Sequence, residues 1–152
     1  MKLQFVQADD IASKAIEIFE RGWPSHVDAV MADGRLLGAR SDVVGCAPAG
    51  VQIRTPDYAV WTRKLVVEFQ TASSEETKWL NFLMAQIGKP YDSTAIAAFA
   101  VERDWRAPDS WFCSELQAAA LEACGFFPKP LANSVNEITP RDLLLCVSPW
   151  TL

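Results

Sequence analysis

The chain has 152 residues, half of them hydrophobic, and a formal net charge of −5 at pH 7. This length predicts a single domain, residues 1–152, with a proper core, and the hydrophobic content argues against disorder. No cluster of lysine and arginine is present, which argues against nucleic acid or an anionic membrane as the main partner.

The amino-terminal residues Met1 to Gln7 lack the long apolar core of a signal peptide. No apolar run in the sequence is long enough to cross a bilayer. We therefore expect a cytoplasmic protein without a stable membrane anchor. Export by a route that needs no signal, such as phage lysis or a dedicated secretion machine, stays open.

Short β-rich segments predict five strands, over residues 3–6, 26–31, 35–40, 51–53 and 64–71. The dipeptide Asp33-Gly34 between the second and third segments is a strong hairpin signal. Helix signals begin at Asp9 or Asp10, Ser73, Asp92 or Ser93, Cys113, and Thr139. This order predicts an α+β fold, a small antiparallel sheet flanked by helices.

The predicted helix at Ser73 has a capping box within Ser73 to Glu76. Its periodicity predicts a buried face made of Trp79, Leu80, Phe82, Leu83 and Ile87. The helix at Cys113 ends at Gly125, and its expected buried face comprises Leu116, Ala119, Ala120, Ala123 and Cys124.

Cys113 falls at the start of its helix, where unpaired N–H groups and the helix dipole favour an anion. A thiolate is an anion and is the nucleophilic form of cysteine. The alternative is a small buried residue that only begins the helix. A catalytic thiol also needs an imidazole to carry its proton, and His26 is the chain's one histidine. A lone histidine is more often structural, so this alternative also stays open.

The other cysteines form no C-x-x-C pair, and one histidine is too few for a mixed zinc site. We therefore expect no metal and no cofactor. Cys124 and Cys146 lie in apolar stretches typical of core residues. Cys46 lies in a loop and is expected to be an exposed thiol.

Four segments together resemble the circularly permuted, YiiX-like branch of the NlpC-type papain-like cysteine hydrolases, to which lecithin–retinol acyltransferase also belongs. In that branch the histidine precedes the cysteine, as it does here, and the resemblance runs from about residue 22 to 125. The segments are Ser25-His26-Val27, Asp33-Gly34, Gly88-Lys89-Pro90-Tyr91-Asp92 and Phe112-Cys113-Ser114-Glu115-Leu116.

The resemblance implies a permuted papain-like fold in which the cysteine helix packs against the sheet that carries the histidine. It implies that Cys113 is the nucleophile and His26 the general base. Tyr91 would donate to the oxyanion, together with the backbone N–H of Cys113. An exposed hydroxyl on a partly buried ring is the alternative for Tyr91.

The family usually has a polar third residue about twelve positions after the histidine, where this chain has Gly38. It also tends to have glycine two positions after the histidine, where this chain has Asp28. If the hairpin turn has three residues, Asp28 lies opposite Gly38 on the same face as His26. Asp28 is then expected to replace the missing side chain. With a two-residue turn, Ser41 faces His26 instead.

Two residues beside the cysteine are candidates for substrate binding. Trp111 could wall an apolar cleft, as could Trp23 and Trp105, although tryptophans are more often core residues. Glu115 shares the first turn with Cys113, and it either complements the helix dipole or contacts a basic group of the substrate.

The leading hypothesis is a thiol hydrolase that cleaves an amide through an acyl-cysteine intermediate. The resemblance implies a cell-wall peptide or another small peptide-like substrate. The same residues would serve the acyltransferase chemistry of the lipid-acting relatives. A non-catalytic binding or assembly module, for instance in a phage or secretion particle, is the third hypothesis, and Gly38 favours it.

Overall fold

The computed structural model describes residues 1–8, 22–43, 45–46, 48–93 and 109–150. The predicted helix after Asp9 or Asp10, the one after Asp92 or Ser93, and Trp105 lie outside these residues. Within them the fold is α+β, with a five-stranded antiparallel sheet and three α-helices, as the sequence predicted.

The strands are β1 (Lys2–Gln7), β2 (His26–Val30), β3 (Leu36–Arg40), β4 (Gly50–Arg54) and β5 (Arg63–Glu68). The helices are α1 (Ser73–Met84), α2 (Cys113–Cys124) and α3 (Pro140–Val147), and two 3₁₀ turns flank α3, at Val135–Glu137 and Ser148–Trp150. None of the helices in these ranges combines the length and the apolar character needed to span a bilayer.

The strands lie in the order β4-β3-β2-β1-β5, and all neighbours are antiparallel. The β2–β3 hairpin pairs Ala29 with Leu37, which is the register of the three-residue turn. Gly34, at φ +83°, adopts the left-handed conformation that this turn requires. The two-residue alternative, with Ser41 opposite His26, is therefore wrong.

The core lies between one face of the sheet and the helices. Residues of β1 to β4 that face the helices fill it: Leu3, Phe5, Val27, Ala29, Leu37, Ala39 and Val51. Helix α2 packs against β2, β3 and α1. Its Gln117 is fully buried and donates from Nε2 to the Leu37 carbonyl at 3.1 Å, which ties the helix to the sheet.

The helix limits differ in detail from those expected. Ala72, rather than Ser73, is the N-cap of α1, and its N–H donates to the Glu75 carboxylate. Helix α1 ends at Met84, so Ile87 lies beyond its periodic face and is exposed. Trp79 and Leu83 are buried as predicted, and Leu80 and Phe82 pack against the core.

Helix α2 has the predicted limits, and Gly125 ends it in the left-handed conformation at φ +82°. Ala123 was predicted to face inward but is exposed, whereas Leu116, Ala120 and Cys124 are buried. Cys46 is exposed and Cys146 only half-buried. Helix α3 begins after Thr139, whose hydroxyl oxygen accepts from the Asp142 N–H at 3.1 Å.

Candidate active site

Cys113 is the first residue of α2 and is almost fully buried. The preceding residue, Phe112, is extended, and its N–H donates to the carboxylate of Glu115 at 3.2 Å. This bond closes the start of the helix and fixes the backbone on either side of the sulfur. The thiol therefore lies where the helix dipole favours an anion.

His26 is the first residue of β2, and the backbone N–H of Ser25 before it donates to the Val6 carbonyl at 3.0 Å. The ring is buried, and its Nε2 lies 3.0 Å from Oδ1 of Asp28, which is 1 % exposed. The predicted contact between Asp28 and the ring is thus confirmed. Gly38 lies directly beside this carboxylate, and a side chain there would collide with it.

The imidazole also interacts with the sulfur. Burial alone would lower the pKa of His26, but the charges of Asp28 and Cys113, and hydrogen bonds to both, raise this pKa to about 9. The ring therefore interacts with a carboxylate and with a cysteine, and the negative charge of each favours the imidazolium form.

The carboxylate of Asp28 has a second partner, Tyr58, whose hydroxyl donates to Oδ2 at 2.7 Å. Burial would raise the pKa of Asp28, but His26, this hydrogen bond and the charge of Arg54 hold it below its usual value. Arg54 is itself buried, and it donates to the carbonyls of Gly38 and Gly50 at 3.0 and 3.1 Å.

Trp61 stacks on His26, with the two rings nearly parallel and their centroids 6.3 Å apart. Tyr58 packs edge-on against Trp61, at 5.3 Å between centroids. No pattern in the sequence points to either residue. Both lie in the irregular segment between β4 and β5, where no periodicity or spacing indicates a partner thirty residues away.

Tyr91 lies beside the cysteine segment. It forms a parallel bridge with Trp111, and its ring centroid is 5.7 Å from that of Phe112. Burial, followed by the negative charge of Cys113, raises the pKa of Tyr91 well above its usual value. The phenol is therefore protonated at neutral pH and can donate a hydrogen bond near the sulfur.

Trp111 and Glu115, the two residues selected for substrate binding, have other contacts. Trp111 is 8 % exposed, belongs to the core and donates from its indole nitrogen to Gln86 Oε1 at 3.1 Å. Glu115 is 1 % exposed and caps α2, which is the first of the two roles considered for it. The Arg63 guanidinium lies over the ring of Trp23, with its central carbon 4.2 Å from the ring centroid.

The assembled groups are a thiol, an imidazole, a carboxylate and two phenols. Among the residues that the structure describes, no three histidine, cysteine, aspartate or glutamate side chains converge on a possible metal position. A nucleophile, a proton carrier with its orienting acid, and a hydrogen-bond donor are what acyl transfer through a thioester requires. No protein-family model matches the chain, and comparison with curated proteins finds no relative.

Proposed function

We propose that the protein is a thiol hydrolase that cleaves an amide bond through an acyl-cysteine intermediate. The observation that carries this proposal is that the His26 ring interacts with both the Asp28 carboxylate and the Cys113 thiol. An imidazole that interacts with both an acid and a cysteine at a helix N-terminus has the partners found in a catalytic triad.

The reaction follows from these contacts. The Cys113 sulfur attacks the carbonyl carbon of the amide, and the proton held by His26 passes to the leaving amine as the carbon–nitrogen bond breaks. His26 then takes a proton from water, which attacks the thioester. The carbon–sulfur bond breaks, the acid leaves and the thiol regains its proton.

The negative oxygen formed at each step needs donors that are already in position. Two groups suit this role. The N–H of Cys113, at the first position of α2, has no carbonyl partner within the helix. The Tyr91 hydroxyl is protonated and lies close enough for the charge of Cys113 to raise its pKa.

The substrate class and the detailed fold rest on the resemblance. A permuted papain-like arrangement agrees with an α2 that packs against the antiparallel strands β2 and β3, of which β2 carries His26. We therefore propose a cell-wall peptide, or a small peptide-like amide, as the substrate. Because Trp111 lies in the core and Glu115 caps α2, we assign neither residue a part in binding this substrate.

The second candidate is a non-catalytic binding module. The observation in its favour is now the burial of Cys113, which is 1 % exposed. Gly38 no longer favours it, because Asp28 occupies the space beside that glycine and contacts the ring.

Alkylation by iodoacetamide separates these candidates. The chain contains its own controls, since Cys46 is exposed and Cys124 is buried in the same helix without a histidine partner. A hydrolase predicts that Cys113 reacts faster than Cys46 near neutral pH, and that His26→Ala removes this advantage. If Cys113 reacts as slowly as Cys124, with or without His26, the hydrolase proposal fails and the binding module replaces it.

A further inference from the structure

We propose that Tyr58 is a positioning residue that acts on His26 through Asp28, as a fourth member of the candidate site. Its catalytic meaning rests on the proposed function. The two oxygens of the Asp28 carboxylate have different partners: Oδ1 lies 3.0 Å from His26 Nε2, and Oδ2 accepts the Tyr58 hydroxyl at 2.7 Å.

The Asp28 carboxylate needs a second partner because no side chain at position 38 fixes its orientation. On the neighbouring strand Gly38 has no side chain, so nothing at that position fixes the rotation of the carboxylate. A terminal carboxylate torsion is broad and has no strongly preferred angle of its own. The hydrogen bond from Tyr58 holds Oδ2, and this keeps Oδ1 directed at the ring of His26.

The connection that carries Tyr58 is brought to the site by the topology of the sheet. Strands β4 and β5 are its two edges; β4 ends at Arg54, opposite Leu36, and β5 begins at Arg63, opposite Gln7, at the other end of the sheet. The segment between them therefore crosses the face of the three central strands that carries Asp28. Thr62, near the end of this segment, is tied to the Gln7 carbonyl by its N–H at 2.9 Å and its hydroxyl at 3.1 Å. The segment is thus anchored to β1.

The same segment also covers the imidazole. Trp61 stacks on His26, and the ring of Tyr58 packs against the edge of Trp61. Two guanidinium groups lie near the Tyr58 ring, that of Arg40 at 5.1 Å and that of Arg54 at 5.8 Å from its centroid. Tyr58 is therefore held by its surroundings, as a residue that orients another must be.

The phenol remains a donor at every pH at which the site could work. Burial and the negative charge of Asp28 raise the pKa of Tyr58 far above its usual value, although Arg40 opposes this. In return, the hydrogen bond from Tyr58 helps to keep Asp28 ionised. The pair therefore supplies a fixed negative charge beside Nε2 of His26.

The test is Tyr58→Phe in the full chain, which removes one oxygen and keeps the ring. His26 is the single histidine, so its imidazole signals in an NMR titration need no assignment. If Tyr58 positions Asp28, the carboxylate loosens and the midpoint of the His26 titration falls by about one pH unit or more. Alkylation of Cys113 becomes slower in the same variant.

Two matched variants identify the route of the effect. Thr62→Val removes a hydrogen bond from the same segment and should leave the His26 midpoint unchanged. In an Asp28→Asn background, Tyr58→Phe should have no further effect on that midpoint, because Tyr58 acts through the carboxylate. An unchanged midpoint in folded Tyr58→Phe, a higher midpoint, or an equal shift in the Asp28→Asn background would each overturn the proposal.

The two proposals fail separately. The NMR titration measures the link between Tyr58 and His26 without any reaction. If alkylation of Cys113 is independent of His26 while the midpoint still depends on Tyr58, the hydrolase proposal is lost and the positioning contact remains. If alkylation depends on His26 while neither the midpoint nor the alkylation rate depends on Tyr58, the hydrolase proposal remains and the positioning proposal is lost.

Discussion

The carboxylate of Asp28 occupies the space that a side chain at Gly38 would fill. A Cβ atom at position 38 would overlap Oδ1 of Asp28, the oxygen that faces Nε2 of His26. The absence of a side chain on β3 is therefore a condition for the acid on β2. Neither residue has the identity usual in the family that the chain resembles, and each accommodates the other.

Gly38→Ala tests this dependence. The added methyl group must displace the carboxylate, because the alternative is to separate two central strands of the sheet. We expect the His26 titration midpoint to fall and the unfolding free energy to drop by about 1–3 kcal/mol, the usual cost of overpacking. NMR titration and urea unfolding measure the two effects. A variant with an unchanged midpoint would show that Asp28 can reach the ring from another position.

The sequence predicted the parts of the site that depend on local patterns. Asp33-Gly34 predicts the hairpin, the hairpin register places Asp28 beside Gly38, and the helix start places Cys113. Tyr58 and Trp61 could not be found in this way. They reach Asp28 and His26 because the segment between the two edge strands crosses the sheet, and strand order is not a property of any local pattern.

The errors in the helices have a similar origin. Ile87 and Ala123 continue the apolar periodicity of α1 and α2, but periodicity does not indicate where the covering surface ends. In α2, Glu115 and Gln117 are polar and are nevertheless buried, because each makes a specific hydrogen bond to the backbone. The bond of Glu115 is a local cap, but that of Gln117 joins residues 80 positions apart, whose proximity only the tertiary structure determines.

The raised pKa of His26 predicts that stability depends on pH. Its folded value of about 9 exceeds the ordinary 6.5, so protonation favours the folded state. This stabilisation is complete below about pH 6.5 and disappears as the pH rises through 9, and it amounts to at most about 3 kcal/mol. Urea unfolding of the wild type and His26→Gln across this range isolates the contribution. A difference between them that does not change with pH would contradict it.

Gln117→Leu should affect both stability and reactivity. The variant removes the hydrogen bond from Nε2 to the Leu37 carbonyl, which joins α2 to β3 one helical turn after Cys113. We expect a loss of about 1–3 kcal/mol in unfolding free energy, since a buried carbonyl loses a partner. Alkylation of Cys113 should also slow, because the helix is no longer fixed relative to His26. Normal alkylation would show that packing alone positions the sulfur.

Cys124→Ser is the control for that experiment. Cys124 is 3 % exposed, and its sulfur lies 3.2 Å from the Leu121 carbonyl, which can accept from a serine hydroxyl. The expected cost in unfolding free energy is therefore at the lower end of the usual range, about 1 kcal/mol. Cys113 should be alkylated at the wild-type rate. A slower rate here would mean that general loosening of α2, rather than the bond of Gln117, limits the reaction.

Exchanging the acid and the glycine tests whether the carboxylate can work from either strand. Asp28→Gly alone removes the charge beside Nε2, so the His26 titration midpoint should fall towards the ordinary value of 6.5. The double variant Asp28→Gly/Gly38→Asp returns a carboxylate to β3, the strand that holds the third residue in the family that the chain resembles. Both proteins have glycine at position 28, so the cost of a glycine in β2 is the same in each.

We expect the double variant to recover part of the lost rise in the His26 titration midpoint and part of the Cys113 alkylation rate. Recovery should be incomplete, because the hydrogen bond from Tyr58 is directed at the carboxylate on β2. Equal midpoints in the single and double variants would show that only β2 can present the acid to His26.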